Sequence, residues 1–590
     1  MDSLNDLLKL PLPEQLRLRR DLSRLSPEVF FPWWRPCQVN VLMVTDGGLD
    51  FGIGDFGLST FVSMMINDGR SYVRFNITLA HLRSDVSDAA VMTGAAGIAA
   101  SIKDFRFDNP AHFTDAKYDE VWLFGIETWF WSGSYSTRNG NHGAYPKDRL
   151  SDAELSILNG HMQRGGGVFA TGDHGALGRG LCGSVNRVRS MRYWDSHLVF
   201  GQDEVGMNNA RRNDTNQPGD AGTQFSDQSD DIPQTIHPKL YSSWISFFQR
   251  ERYPHPVLCG PNGRITVMPD HPHEGECIVP AALTATFAPD GSEEYPAATG
   301  GGPRVSPELI AHSNVLAGNT ATIFSSSKVA TQAHTFGSIS AYNGHAASVG
   351  RVVCDSTWHH FINVNLIGVV EDGRFDDLTP ANSITKHDGF MSTVAGQAVL
   401  AMIKEYYVNI GTWISPPAKH SCFRSRFWWE AIYRDRVVEA SMIRADIPLD
   451  KIPLELLHHI GTSARDVIGR MAGQCASIEW ILDWFRPHWP ELVYMIDPWP
   501  PIPHPDPPPY LPIDPIKLFD TAIGAAVVSL RQHFPYPSKE AAQEVGERAS
   551  KVIQAGLTHG LQRGLQQMSK DLGVFHKSLG AGAERAHLKM

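Results

Sequence analysis

The feature that most constrains this chain is an alternation of continuous apolar runs and helix-like segments across residues 37–405. The runs CQVNVLMVTD (37–46), YVRFNITLAHL (72–82) and YDEVWLFGIE (118–127) are rich in apolar and β-branched residues. Strands have this composition when both faces of their sheet are covered, as in parallel sheets. The alternation predicts an α/β fold with a flavodoxin-like, doubly wound, mostly parallel sheet.

Helix and strand signals also lie between and after these runs. FGLSTFVSMMIND (56–68) predicts a helix, and Ser151 and Glu154 have the spacing of a capping box at the start of another. Three glycines end that second helix, and GVFATG (167–172) follows as a strand. A further buried strand is predicted within GRVVCDSTWHHFINVNL (350–366).

The rest of the chain divides by composition. Residues 180–300 are rich in Gly, Pro, Asn, Asp and His, which predicts a large irregular insertion in the α/β core. After the core the patterns become α-helical, interrupted by a proline-rich segment. The predicted regions are an N-terminal helical extension (1–36), the core (37–405), a helical region (406–497), a proline-rich linker (498–515) and a C-terminal helical region (516–590).

Charge and cysteine content exclude several classes of protein. The formal net charge of -11 provides no basic field for a general nucleic-acid binder. No apolar run approaches the roughly 18 residues of a membrane span, and the N-terminus does not have the pattern of a secretory signal. The 7 cysteines are scattered, odd in number and without a CxxC pair. We therefore expect reduced thiols and a cytoplasmic protein.

Acidic and imidazole side chains follow several of the predicted strands. Parallel sheets bind ligands outside the carboxyl ends of their strands, so these positions are the candidate site. Two alternatives stay open: Asp173 and His174 also suit a polar turn, and if the backbone is extended at His359 and His360, only one of them faces the site. The predicted catalytic residues are Asp173, His174, Asp355, His359 and His360.

A second cluster of polar residues lies in the insertion, in MPDHPHEGEC (268–277). Imidazole and carboxylate groups bind Zn, Mn and Fe, and such sites assist hydrolysis. A solvated acidic turn explains the same composition, and HExxH and EF-hand spacings are both absent from the sequence. The predicted divalent-metal ligands are His271, His273, Glu276, Asp173 and His359.

Five segments, in chain order, resemble the class I glutamine amidotransferase-like superfamily, and its ThuA-like branch in particular. They are VNVLMVTDGG, YDEVWLFG, LSDAELSILNGHMQRGGG, VFATGDH and GRVVCDSTWHH. The resemblance covers about residues 39–180 and 305–400. It implies a nucleophilic cysteine at the tip of the fourth strand and a histidine after the late strand. Here Asp173 and His174 occupy the first place, and His359 or His360 the second, so glutaminase activity is not expected.

Three functional hypotheses follow. The first is a hydrolase of a small molecule, assisted by a metal, in which Asp173 and one of His359 or His360 hold the metal or act as base. The second is a non-catalytic domain that binds a ligand or partner, with the C-terminal helices driving homo-oligomer or partner assembly. The third is thiol chemistry at Cys182, although an isolated cysteine usually packs as a small apolar side chain.

Overall fold

The computed structural model of the chain describes most of the α/β core and of the C-terminal helices. Residues 1–34 of the predicted N-terminal extension and residues 501–514 of the predicted proline-rich linker lie outside the described residues. The described residues are 35–84, 86, 97–126, 150–175, 177–194, 213–215, 233–244, 250–269, 274–299, 302–318, 331–368, 389–433, 447–490, 493, 497–500, 515–534 and 539–587.

A ten-stranded sheet forms the centre of the described part of the chain. Two two-stranded pairs lie beside it. The strands are β1 (Cys37–Thr45), β2 (Val73–His81), β3 (Ile98–Ile102), β4 (Glu120–Phe124), β5 (Gly167–Thr171), β6 (Pro233–Pro238), β7 (Tyr241–Trp244), β8 (Arg250–Tyr253), β9 (Cys259–Gly260), β10 (Gly263–Arg264), β11 (Val267–Pro269), β12 (Glu308–Val315), β13 (His334–Tyr342) and β14 (Val352–Asp355).

The sheet has a parallel part and an antiparallel part. Its order is β11-β6-β12-β13-β14-β5-β4-β1-β2-β3. The pairs from β14 to β3 are parallel, and those from β11 to β14 are antiparallel. The predicted α/β architecture with a mostly parallel central sheet is thus confirmed. The region predicted as an irregular insertion supplies β6 and β11 at one edge.

Helices cover the sheet and continue beyond it. The helical character predicted for the C-terminal part of the chain is confirmed. The first of these helices, α6, begins within the predicted core and packs directly on β5, β14 and α1. The helices are α1 (Ser59–Ile66), α2 (Asp152–Gln163), α3 (Arg179–Cys182), α4 (Val188–Met191), α5 (Asn363–Ile367), α6 (Val394–Ile414), α7 (Pro417–Tyr433), α8 (Leu454–Ala472), α9 (Gln474–Phe485), α10 (Pro515–His533) and α11 (Lys539–His587).

Each face of the sheet carries its own apolar core. Phe169 contributes to one core, where its ring lies 5.2 Å from that of Phe361. That core continues without a break into α8, α10 and α11. Leu158 and Met162 of α2 contribute to the opposite core, beneath Ala170. Burial of both faces explains why the strands are apolar throughout.

The strand predicted within 350–366 is confirmed as β14, which ends at Asp355. A 3₁₀ turn over Trp358–His360 and the short helix α5 follow. The Asp355 carboxylate accepts a hydrogen bond from the Thr357 amide, and the Thr357 hydroxyl accepts one from the His359 amide. Such local side-chain acceptors compete with the strand ladder and turn the backbone.

The expectation that all cysteines are reduced is wrong for two of them. Cys37, at the start of β1, and Cys422, in α7, form a disulfide across 385 residues of sequence. Sequence spacing did not predict it, because the pair becomes adjacent only when α7 packs beside β1. Among the described residues, no helix is both long and apolar enough to cross a membrane. The cysteines that remain free are Cys182, Cys259, Cys277, Cys354 and Cys475, all buried.

Candidate functional site

The carboxyl ends of β5 and β14 bring two buried aspartates to one edge of the sheet. Thr171 of β5 pairs with Asp355 of β14, so Asp173 follows β5 beside the end of its neighbour. Thr357 connects the two carboxylates: its hydroxyl donates to Asp173 Oδ1 at 2.9 Å, and its amide donates to Asp355 Oδ1 at 3.1 Å. The parallel pairing predicted from the apolar runs therefore positions the acidic groups.

The other oxygen of the Asp173 carboxylate contacts the next residue in sequence. His174 Nδ1 lies 2.9 Å from Asp173 Oδ2. The Asp173 side chain is fully buried, whereas the His174 side chain is 23% exposed. A carboxylate accepts hydrogen bonds, so Nδ1 of His174 carries the proton that it donates. In the neutral ring, Nε2 is then the nitrogen that can accept a proton. His174 thus forms the exposed edge of the site.

His359 approaches the same carboxylate from inside. Its Nε2 lies 3.6 Å from Asp173 Oδ2, and its Nδ1 lies 2.9 Å from Asn365 Oδ1. Burial lowers the pKa of His359 below its usual value, although Asp173 opposes this shift. His359 is therefore a neutral imidazole at neutral pH, and the Asp173 carboxylate is not neutralised by it.

Asp355 belongs to a separate buried ion pair. His360 Nδ1 lies 2.7 Å from Asp355 Oδ1, and His360 Nε2 lies 3.8 Å from Glu274 Oε1. Burial alone would lower the pKa of His360, but Asp355 and Glu274 outweigh it and raise the pKa to about 10. Tyr406 of α6 donates to Asp355 Oδ2 at 2.6 Å. His360 is therefore a cation held between two carboxylates.

The backbone around these side chains is held by a buried arginine. The Arg192 guanidinium donates to the carbonyl oxygens of Asp355, Asp173 and Ser356 at 3.1, 2.6 and 2.6 Å. These contacts hold together the chain segments at the ends of β5 and β14. Arg189, by contrast, pairs with Glu294 at 3.3 Å, as ion pairing predicts.

The glycines after β5 have a structural explanation. Gly178 has φ +92° and packs against the backbone of Gly125 and Gly172, where a Cβ would collide with it. A left-handed φ and close backbone approach both favour glycine. Close packing therefore accounts for Gly172 and Gly178, and these two glycines are not in themselves evidence for a ligand.

The structure brings together the predicted residues Asp173, His174, Asp355, His359 and His360, in two adjoining groups. Both histidines turn inward, because the 3₁₀ turn replaces the extended backbone. Asp46 does not join them: its carboxylate accepts amide hydrogen bonds from Gly48 and Ile126, which ties β1 to β4.

The predicted metal ligands are only partly described. His271 and His273 lie outside the described residues, and the backbone carbonyl of Glu276 accepts a hydrogen bond from the Tyr193 amide. Within the described ranges, no group of three His, Cys, Asp or Glu side chains is arranged to hold a metal ion. Metal binding thus stays a prediction.

Sequence reasoning missed several members of the site. Glu274 is fully buried and accepts from the Ser356 hydroxyl at 2.7 Å, whereas the prediction selected Glu276. An isolated β-bridge between Asn213 and Glu274 fixes this position, and no local sequence pattern indicates it. Thr357 and Tyr406 were missed for the same reason. Cys182 is buried, and burial raises the pKa of its thiol well above the usual value, which argues against a nucleophile there.

A scan against protein-family models finds no match to this chain, and a search of curated proteins finds none either. The fold and the site therefore define the class of protein by structure alone. This is an α/β protein with a buried cluster of carboxylates and imidazoles at the carboxyl ends of its parallel strands.

Proposed function

We propose that this protein is a hydrolase of a small molecule in which the Asp173–His174 pair acts as the general base. The observation that carries the proposal is the 2.9 Å contact between a fully buried carboxylate and a partly exposed imidazole. The carboxylate orients the ring, and Nε2 then accepts a proton from an attacking water or hydroxyl. Only His174 among these side chains has substantial exposure, so substrate approaches there.

The surrounding charges support this role. When His174 accepts a proton it becomes an imidazolium, which the Asp173 carboxylate stabilises. His359 faces the same carboxylate but is neutral, so it does not compete for that negative charge. The positive charge of His360 is already balanced by Asp355 and Glu274, which makes it a positioning residue. The two groups therefore divide into a reactive pair and a structural ion pair.

The resemblance to glutamine amidotransferase-like proteins, with a flavodoxin-like core, is part of the proposal. The parallel strand order and the site at the strand ends support it. The chemistry differs, because Asp173 and His174 stand where that superfamily carries its cysteine. A glutaminase reaction is accordingly not proposed.

The test compares two site variants with a matched histidine control. Wild type, Asp173→Asn, His174→Gln and His112→Gln are assayed on chromogenic esters, amides and phosphate esters. We expect the first two variants to lose about 10²–10⁴-fold in kcat/KM, the range for a positioned base and its orienting acid. His112 lies on a surface loop and pairs with Asn109, so its variant should match wild type. Folded wild type without activity, or unaffected site variants, would contradict the proposal.

The metal-assisted version has its own measurement. Carboxylate and imidazole donors suit a divalent metal, and Asp173, His359, His271, His273 and Glu276 are the proposed ligands. Metal analysis of protein purified without a histidine tag should then show stoichiometric Zn, Mn or Fe, and a chelator should lower the melting temperature. Absence of metal with unchanged stability in chelator removes this version and leaves the base mechanism untouched.

A second candidate function is assembly through the C-terminal helices, and one observation favours it. Helix α11 exposes Val574, Phe575 and Leu579 by 63%, 61% and 58%, close together on its last turns. Exposed apolar clusters of this kind often mark association sites. A second copy of this chain is the proposed partner. Replacing all three residues with serine in the full chain should lower the solution mass, and an unchanged mass would refute assembly through this helix.

A further inference from the structure

A second cluster of reactive side chains lies away from the Asp/His site, in a pocket of about 450 Å³. Cys259 of β9 and Cys475 of α9 both line it, and their thiols are in hydrogen-bonding contact. Gly473, just before α9, has φ +87° and packs on the backbone of Cys259 and Gly260, where a Cβ would collide. The backbone is thus built to bring the two thiols together.

The surroundings of the pocket favour anions. Arg252 and Arg264 line it and are exposed, and Arg264 donates to the Arg252 carbonyl at 2.8 Å. The first backbone amides of α9, from Gln474 and Cys475, face the Cys259 sulfur. Helix N-termini and guanidinium groups both stabilise thiolates and bind carboxylates. The acidic neighbours are engaged elsewhere, since Glu405 pairs with Asn262 and Glu479 with Arg351.

The two thiols differ in acidity. The contact with Cys475 lowers the pKa of Cys259, against the opposing effect of burial, and the two amides add to this. Burial raises the pKa of Cys475 well above its usual value. An acidic thiol that reaches a pocket, beside a second thiol in contact with it, has the arrangement of an attacking and a resolving cysteine.

We propose that Cys259 and Cys475 form a thiol–disulfide exchange site for a low-molecular-weight disulfide that carries carboxylate groups. The Cys259 thiolate attacks one sulfur of the substrate, forming a mixed disulfide and releasing the first thiolate. Cys475 then transfers its proton to the released thiolate and attacks the Cys259 sulfur, which forms the Cys259–Cys475 disulfide and releases the second thiolate, and water protonates that thiolate. The protein loses two electrons, and the small disulfide gains them and becomes two thiols. Arg252 and Arg264 bind its carboxylates.

The experiment uses the full-length protein and oxidised glutathione, with products mapped by mass spectrometry of non-reduced peptides. Wild type should yield a peptide pair linked through Cys259 and Cys475. Cys475→Ser should trap one glutathione on Cys259, because the resolving thiol is missing. Cys259→Ser should leave Cys475 unmodified, and Cys277→Ser, a matched buried control, should behave as wild type. Peptide mapping separates this link from the Cys37–Cys422 disulfide.

The charge requirement is tested separately with Arg252→Gln/Arg264→Gln. Reaction with oxidised glutathione should slow roughly tenfold, because loss of the two positive charges at the pocket slows association with an anionic substrate. Reaction with the cationic disulfide cystamine should not slow. If Cys475→Ser does not fold, the rate of iodoacetamide labelling in wild type replaces it, with Cys259 expected to react first. Equal labelling of Cys182, Cys277 and Cys259, no linked peptide in folded wild type, or equal slowing with both disulfides would overturn the proposal. None of these outcomes depends on the hydrolase site.

Discussion

His359 and His360 are adjacent and equally buried, yet their rings meet different charges. His359 shares Asp173 with His174 and stays neutral because burial lowers its pKa. His360 lies between Asp355 and Glu274, whose combined charge raises its pKa to about 10. The same desolvation acts on both rings, so the number of close carboxylates decides their state.

The His360 ion pair makes a prediction about pH. Its pKa in the folded protein is higher than the ordinary value of 6.5, so its stabilising effect is full below about pH 6.5 and is lost as pH rises towards 10. His360→Gln leaves two carboxylates without their cation and should cost about 3–5 kcal/mol at pH 6. The difference from wild type, measured by urea unfolding, should shrink by pH 10. A difference that is constant with pH would contradict this account, and His112→Gln is the control.

At the scale of secondary-structure elements, α2 begins with the capping box that the sequence predicted. The Ser151 hydroxyl accepts from the Glu154 amide at 3.3 Å, and the Glu154 carboxylate accepts from the Ser151 amide at 3.2 Å. Ser151→Ala removes the cap and should destabilise the protein by about 1 kcal/mol. Ser151→Thr keeps the acceptor and should cost less. Denaturant midpoints measure both, and equal losses would show that the cap is not the cause.

A buried glutamate joins a strand to a helix and gives a second prediction at this scale. Glu120 of β4 accepts from Ser415, at the end of α6, at 2.6 Å and from Trp122 Nε1 at 3.0 Å. Burial raises the pKa of Glu120 to about 8. The folded state therefore holds a proton that the unfolded state has released, and stability falls between about pH 4.5 and 8, by up to about 1.4 kcal/mol per pH unit.

Glu120→Gln checks this assignment, because an amide does not titrate. The slope of unfolding free energy against pH between 4.5 and 8 should become flatter than in wild type. An unchanged slope would assign the pH dependence to other groups. The control is Glu293→Gln, at an exposed glutamate that pairs with Arg304.

The elements that the sequence predicted well are those whose signals are local. Continuous apolar runs predicted β1, β2, β4 and β5, and cap spacing predicted the start of α2. Hydrophobicity does not register the hydrogen bonds of Thr357, so the turn that follows the late strand after Asp355 was not predicted. Strand order was enough to place Asp173 and Asp355 at one edge, since parallel neighbours end together.

At the scale of the whole molecule, the site combines segments that are far apart in the chain. Asp173 follows β5, and Glu274 forms an isolated bridge with Asn213. Asp355 ends β14, and Tyr406 lies in α6. The sequence predicted the two strand-end members and missed the others, whose positions depend on contacts across many residues. The same limit applies to the Cys37–Cys422 disulfide, which only the packing of α7 beside β1 reveals.

That disulfide gives the prediction for the whole molecule. It joins β1 to α7, so it restricts the conformations of the unfolded chain between two residues that are 385 positions apart in sequence. The double variant Cys37→Ser/Cys422→Ser should lower stability by about 2–5 kcal/mol. The disulfide closes a long loop and so lowers the conformational entropy of the unfolded state, and the variant restores that entropy. Thermal melting measures the loss, and Cys277→Ser, which changes a free buried thiol, is the control. Thiol titration in urea without reductant decides whether the bond forms. Five reactive thiols agree with it, and seven would show that the two cysteines pack without bonding.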